Sequence, residues 1–232
     1  MQEKIEFCNI YKRVHSIDSK VLESSHKITA DLFSTEQDLE ILAFLQPNKL
    51  QGFIKTLAPL LSKSFELHPL TSDPENIAYE FYNSSYGKLL IASTKFGICY
   101  VSFPSEESIY ELQQNFPNSN LEQTKTKLHE LAIDFIENKA SGILPLHLKG
   151  TQFQLEVWKN LLRIPKGQLS TYKHLAIAME KSKASIAIGA AVGQNPIALL
   201  IPCHRVIRTN GVWKGFRWGN ERKASLLIYE LK

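Results

Sequence analysis

Cysteine is scarce in this chain: there are three in 232 residues, at positions 8, 99 and 203. They show no paired spacing, which excludes a disulfide framework and a cysteine-built zinc cluster. His15, His26, His68, His129, His147 and His174 have no ligand spacing either, so the sequence calls for no metal and no cofactor. No apolar run is long enough to span a membrane, and the polar N-terminus lacks a signal-peptide pattern. A free thiol suits a reducing compartment. The expectation is a cytoplasmic protein, nuclear if eukaryotic, with no membrane partner. Acidic residues are sparse in the second half. From Thr151 onward 13 Lys/Arg face 4 Asp/Glu, a net +9, whereas the first 150 residues net −5. A basic half on an otherwise acidic chain suits a polyanion, although a solvated basic face gives the same count.

The organisation follows from periodicity. Residues 1–75 read as a helical extension, with Leu50, Phe53, Ile54, Leu57 and Leu61 at helical spacing and no recognisable chemistry. From Ile77 the pattern alternates. Three strands are expected, around Ile77 to Phe81, Lys88 to Ser93 and Gly97 to Phe103, with Cys99 in the core. Helices are expected over Ser105 to Phe116 and Leu121 to Asn138, then a linker over Lys139 to Lys149. The segment 76–149 thus reads as a small sheet with helices. Residues 150–232 read as helical. Thr151 and Gln154 form a capping box, and Tyr172, Leu175, Ala176 and Met179 mark a short helix. A further helix, with Ser182 as its cap, buries Ala184, Ala187, Ile188 and Ala191. Two short helices and a tight turn make a helix-turn-helix unit. Its small side chains suit either close helix packing or close approach to a groove.

Ile201-Pro-Cys-His-Arg-Val206 carries the chemistry. Pro202 ends the apolar run Ile197 to Ile201, read as a strand, and places Cys203 beside His204 and Arg205. Cationic neighbours favour thiolate. A structural cysteine in a buried strand is the competing reading. His204 cannot bond its neighbour Cys203 across a regular strand, so joint action requires a turn at this point.

Around this motif stand Gly150-Thr-Gln-Phe-Gln154, Val157-Trp158, Ile164-Pro-Lys-Gly167, Ser170-Thr-Tyr172, Asn195-Pro196, Asn210-Gly211, Gly215-Phe-Arg-Trp-Gly219 and Arg222-Lys223. In this order the chain resembles the 6-O-alkylguanine-DNA alkyltransferases, most of all the C-terminal domain of the Ada type. The resemblance is carried by Thr151 to Glu230, extends weakly over Ile77 to Lys149 and leaves Met1 to Glu75 uncovered. It implies an α/β (α+β) fold: a sheet-plus-helices domain over 76–149, then a winged-helix-like helix-turn-helix catalytic domain over 150–232. It implies a monomer acting on double-stranded DNA that carries alkylated guanine or thymine. The alkyl group would pass once and irreversibly to Cys203, since thiolate is a soft nucleophile and a thioether is not hydrolysed. His204 would take the thiol proton through a water, Glu230 would orient the imidazole and Asn195 the active-site turn. Tyr172, Ser185, Ile186 and Arg205 would contact DNA. Val192, Trp213, Arg217 and Trp218 would line the alkyl pocket. Taken singly, Glu230 suits a solvated surface, Tyr172 a helix anchor and Asn195 a turn.

Two further readings remain: a lesion binder without repair activity and an Ada-like regulator. Cys203 argues against the first. The second needs four N-terminal cysteines, where the sequence has only Cys8. A thiol hydrolase lacks an oxyanion-hole motif. The sequence departs from its relatives at Ile186, where the family carries an arginine that fills the gap left by a flipped base. Isoleucine can wedge between bases but brings no charge. Trp218, with Ala198, predicts a tight pocket that accepts methyl and resists benzyl groups.

Overall fold

Lys88 to Ser93 places apolar side chains at successive positions, a pattern that suits a strand covered on both faces. In the computed structural model, which describes residues 65–209 and 215–230, this stretch belongs to β3 (Gly87–Ser93) of a six-stranded sheet. Its companions are β1 (Phe65–Pro69), β2 (Asn76–Ser84), β4 (Ile98–Ser102), β5 (Asn120–Gln123) and β6 (Leu144–Leu148). The order is β1-β6-β4-β3-β2-β5. The expected meander β2-β3-β4 is antiparallel, whereas β5 and β6 join it in parallel. Leu90, Ala92, Cys99 and Tyr100 face helix α1 (Ser108–Asn115) through Leu112. Leu89, Ile91, Ile98 and Val101 face helix α2 (Lys127–Ile136) and continue into the second half through Val157, Trp158 and Ile188. The two halves therefore share one core.

Several expectations need correction. Residues 1–64 of the proposed helical extension lie outside the described residues, and its end is strand: Phe65–Pro69 pairs in parallel with Leu144–Leu148. The latter lies in the proposed linker, where Leu144, Leu146 and Leu148 are fully buried. The helix expected from Leu121 begins only at Lys127, capped by Thr126, whose side chain accepts from the His129 N–H. Asn120–Gln123 before it pairs with β2 instead.

The second half is built from α3 (Gln152–Leu161), α4 (Tyr172–Ala178), α5 (Ser185–Gly193) and α6 (Asn220–Glu230), with a two-strand ladder of β7 (Ser170–Thr171) and β8 (Val206–Ile207). The capping box of Thr151 and Gln154 is present. Trp158 is buried and donates Nε1–H to the Ala191 carbonyl at 2.9 Å, which fixes α3 against α5. Gly150 is required here: a Cβ would lie 2.8 Å from the Trp158 ring. Ser182 does not cap α5, whose N-cap is Ala184, without a side-chain bond. Ala187 is exposed, and Val192 is buried with Ile188 and Ala191.

One junction positions everything that follows. Ile98 at the start of β4 pairs with Leu146 of β6. Further along, Val101 bonds instead to the loop after α5: its N–H donates to Pro196 O at 3.0 Å and its carbonyl accepts from Ala198 N at 2.8 Å. The sheet of the first half thus holds the loop that leads to Cys203.

His129 is fully buried in α2, with Nε2 2.9 Å from Ser93 Oγ and the Tyr82 ring edge-on. Burial depresses its pKa to about 4. Because the folded value lies below the unfolded one, the unfolded chain binds the extra proton between these pH values. Stability is then fully present above pH ~6.5 and declines as pH falls toward 4, by at most about 3 kcal/mol from this group. Urea unfolding across that range should show the loss, and NMR of the His129 ring should show no titration near pH 6.5. A ring that titrates there would contradict its placement.

Candidate active site

The run Ile197 to Ile201 does not form the expected strand. Only Ile197 bridges to Val101, and Leu199 adopts a left-handed φ of 64°. The reason is Asn195. Its Oδ1 accepts from Ile197 N at 3.0 Å, and its Nδ2 lies 2.9 Å from both Ile197 O and Ile201 O and 3.2 Å from Cys203 Sγ. Two amide hydrogens serve three acceptors, so at least one is shared. A buried carboxamide that satisfies a loop's own carbonyls competes with strand pairing. Pro202 then opens a single 3-10 turn, Cys203–Arg205, which is the turn the adjacent Cys and His need.

That turn sends the three side chains to different partners. Cys203 faces a cavity of about 30 Å³ with Tyr172, Gly189, Val192, Trp218 and Lys223 on its walls. His204 points into the core, where Nε2 lies 2.8 Å from Glu230 Oε1. A carboxylate only accepts, so Nε2 carries the proton and Nδ1 keeps its lone pair. Nδ1 is buried without a protein partner. Arg205, expected to contact DNA, is engaged with the protein itself. Its Nε and Nη2 grip Glu230 at 2.7–3.1 Å and Nη1 donates to Ile164 O at 2.6 Å. A buried carboxylate needs a full counter-charge, and neutral His204 cannot supply one.

Electrostatics follow from this packing. Burial alone would raise the Glu230 pKa, but the bonds from His204 and Arg205 outweigh it and hold it at about 2. Burial lowers His204, opposed by Glu230. Burial also raises the Cys203 thiol, opposed by the Asn195 bond and the charge of Lys223. The resting state is therefore thiol, not the thiolate expected from cationic neighbours, because one of those neighbours is neutral and the other is spent on Glu230.

Lys223 is the residue that sequence reasoning missed. It is 2% exposed, donates Nζ–H to Val206 O at 2.6 Å and is pushed down to about 8 by burial. Its signal was available: Lys223 shares the apolar face of α6 with Leu227 and Glu230, at i, i+4 and i+7. Among the other candidates, Tyr172 and Val192 line the cavity with Arg217 and Trp218. Ser185 opens α5, and Ile186 beside it is 92% exposed. Trp213 and the Asn210-Gly211 turn lie outside the described residues.

Comparisons with known proteins agree on one family. Residues 152–232 match the DNA binding domain of 6-O-methylguanine DNA methyltransferase, and residues 77–139 match the family's ribonuclease-like domain. The chain is 37% identical over 164 residues to the bifunctional transcriptional activator/DNA repair enzyme Ada of Escherichia coli, covering 67% of this chain and 46% of that protein. Less than half of the Ada length is thus represented. It is 40% identical over 147 residues to the inducible methylated-DNA–protein-cysteine methyltransferase of Bacillus subtilis, covering 60% of this chain and 82% of that protein. The fold matches an OGT of Mycobacterium tuberculosis solved in complex with DNA, with a TM-score of 0.55 and 29% identity over 66% of this chain and 92% of that one.

If Lys223 is the cation that eases ionisation of Cys203, Lys223→Met should move the thiol titration to higher pH and slow alkylation at neutral pH, about tenfold for each unit moved. The pH dependence of iodoacetamide labelling reads this directly. An unchanged profile would remove Lys223 from the chemistry.

Proposed function

Since the chain belongs to the 6-O-methylguanine DNA methyltransferase family, we propose that it repairs DNA by irreversible transfer of the alkyl group of 6-O-methylguanine, and more weakly of 4-O-methylthymine, to its own Cys203. The observation that carries this reading is the thiol itself. It lines a cavity together with residues of the helix-turn-helix unit, the segment Gly215–Trp218 and α6, is bonded to Asn195 and is close enough to Lys223 to feel its charge.

The geometry supports a stepwise account. His204 Nδ1, with Nε2–H committed to Glu230, takes the thiol proton through a water. Glu230 stabilises the resulting imidazolium, and Arg205 keeps Glu230 ionised. The thiolate attacks the methyl carbon: an S–C bond forms, the C–O6 bond breaks, and its electron pair stays on the base. The proton lost by the thiol is balanced by one gained by guanine. Tyr172 donates to the purine as charge develops there. Its own pKa is raised by burial and by Cys203, so it remains a donor at neutral pH. The product is a thioether and each molecule acts once, with no cofactor.

The target base is stacked inside a duplex and must be flipped to reach the cavity. The net charge of +9 from Thr151 onward suits phosphate contacts, and Ile186 projects from the first turn of α5 as an apolar wedge. We place the protein in the cytoplasm, or in the nucleus of a eukaryote, as a monomer. Among the described residues no helix is long and apolar enough to cross a membrane. A regulatory role like that named for the Ada relative has no support in the cysteine count, since Cys8 stands alone in residues 1–75.

Incubation with an oligonucleotide carrying 6-O-methylguanine should add one methyl group to the Cys203 peptide, seen by mass spectrometry. Cys203→Ala should abolish the transfer and leave DNA binding largely intact. A variant that still demethylates the oligonucleotide rules out this site.

Ile186 gives a second test. Ile186→Arg should speed repair of duplex DNA more than of single strands, because only the duplex leaves a gap to fill. Equal effects on both substrates would place Ile186 away from the flipped base.

A further inference from the structure

The cavity in front of Cys203 is small. About 30 Å³ holds roughly two waters, well below the ~300 Å³ at the lower end of small-molecule pockets. One wall is the segment Gly215–Gly219. Gly215 and Gly219, at its two ends, have φ of 92° and 96°, a region open to glycine and strained for other residues. The space now beside Cys203 is too small for a purine, so an entering base must displace part of its lining, of which this segment supplies Gly215, Phe216, Arg217 and Trp218.

What holds the wall lies in the other half of the protein. Arg217 Nη2 is 3.4 Å from Glu111 Oε2 on α1 and 3.4 Å from the Tyr100 hydroxyl on β4, and Tyr100 in turn donates to Glu111 at 3.3 Å. The Arg217 guanidinium lies 6.0 Å from the centre of the Tyr100 ring, within cation–π range. Trp218 meets Phe103 edge-on at 6.0 Å, and the Arg222 guanidinium covers the other reach of Phe103 at 4.2 Å. No residue of α1 or β4 lines the cavity.

The geometry points to Glu111 and Tyr100 as positioning residues that set how large an alkyl group the protein accepts, through their hold on Arg217 and hence on the Gly215–Gly219 wall. This rests on the alkyl-transfer reading of Cys203 and adds a determinant of specificity outside the pocket. A methyl group needs little room beyond that of the base. A benzyl group needs the wall to swing further, so a weaker hold favours the larger group more.

The Glu111–Arg217 contact is exposed, 41% and 31% for the two side chains, which limits its strength to that of a surface ion pair. The expected effects are correspondingly modest. The test compares rates of Cys203 alkylation by one duplex sequence carrying either 6-O-methylguanine or 6-O-benzylguanine, so that DNA affinity cancels in the ratio. Glu111→Gln should raise the benzyl-to-methyl ratio about two- to fivefold and leave the methyl rate within about twofold. Tyr100→Phe, which removes the shared hydroxyl, should raise the ratio in the same direction. An unchanged ratio in both variants, or an equal fall of both rates, overturns the assignment. A wild-type protein that leaves Cys203 unmethylated overturns the alkyl-transfer reading instead.

Discussion

The buried carboxamide of Asn195 meets four partners at once, and the position of the thiol follows from how it meets them. By bonding Ile197 N, Ile197 O and Ile201 O, it closes the loop after α5 on itself and leaves one further contact for Cys203 Sγ. A loop closed in this way would still be free to rock as a unit. The sheet prevents that, because Val101 bonds to Pro196 and Ala198 on the outer side of the same loop. An Asn195→Ala change would leave the buried Ile197 N–H without a partner, at about 1–3 kcal/mol, and would remove one of two donors from each of Ile197 O and Ile201 O. It would also free the thiol, so stability and reactivity are tied at one residue. The first half of the protein therefore serves as a clamp on the active-site loop.

Glu230 organises the charges in a similar way. It is 8% exposed and receives Arg205 and His204 from the same 3-10 turn. Arg205 supplies the counter-charge that lets a buried carboxylate stay ionised. With that settled, His204 can remain neutral and keep Nδ1 free as a base. A histidine charged at rest could not accept the thiol proton. The pairing also ties α6 to the loop of Gly167, whose N–H donates to Glu230 Oε2 at 3.3 Å.

Much of this arrangement was legible in the sequence, for identifiable reasons. The central meander shows in alternation and in the doubly apolar β3, and the capping box marks the start of α3. Cys203, His204, Asn195 and Tyr172 belong to short motifs at fixed spacing, and the structure brings Cys203, Asn195 and Tyr172 to one place. The misreadings share a cause: a local pattern was settled by a distant partner. β1 and β6 are each five residues long and stabilise one another in parallel across most of the first half. Read alone, each passes for helix or linker. The run Ile197 to Ile201 has strand composition, but Asn195 claims its carbonyls. Arg205 was expected at the DNA, and only the fold shows that it meets Glu230, 25 positions away. Lys223 was overlooked for the same reason in reverse: a lysine on an apolar face is buried only if something compensates it, here the Val206 carbonyl.

A raised thiol pKa and a cavity this small would handicap an enzyme that must turn over rapidly. For a protein that reacts once they act as protection. The thiolate is the form that oxidants and stray electrophiles attack, so a thiol kept neutral by burial survives until a substrate arrives. Burial works in the same direction, since Cys203 is 5% exposed beside a cavity of about 30 Å³. Both barriers are removed by the event they await. Entry of a base moves the wall, and a proton relay to His204 is useful only when an alkyl carbon lies in front of sulfur. Product release sets no limit on the chemistry, because the transferred group never leaves. The site can therefore be built around selectivity for the single reaction that consumes it, and the hold of α1 and β4 on its wall becomes part of that selectivity.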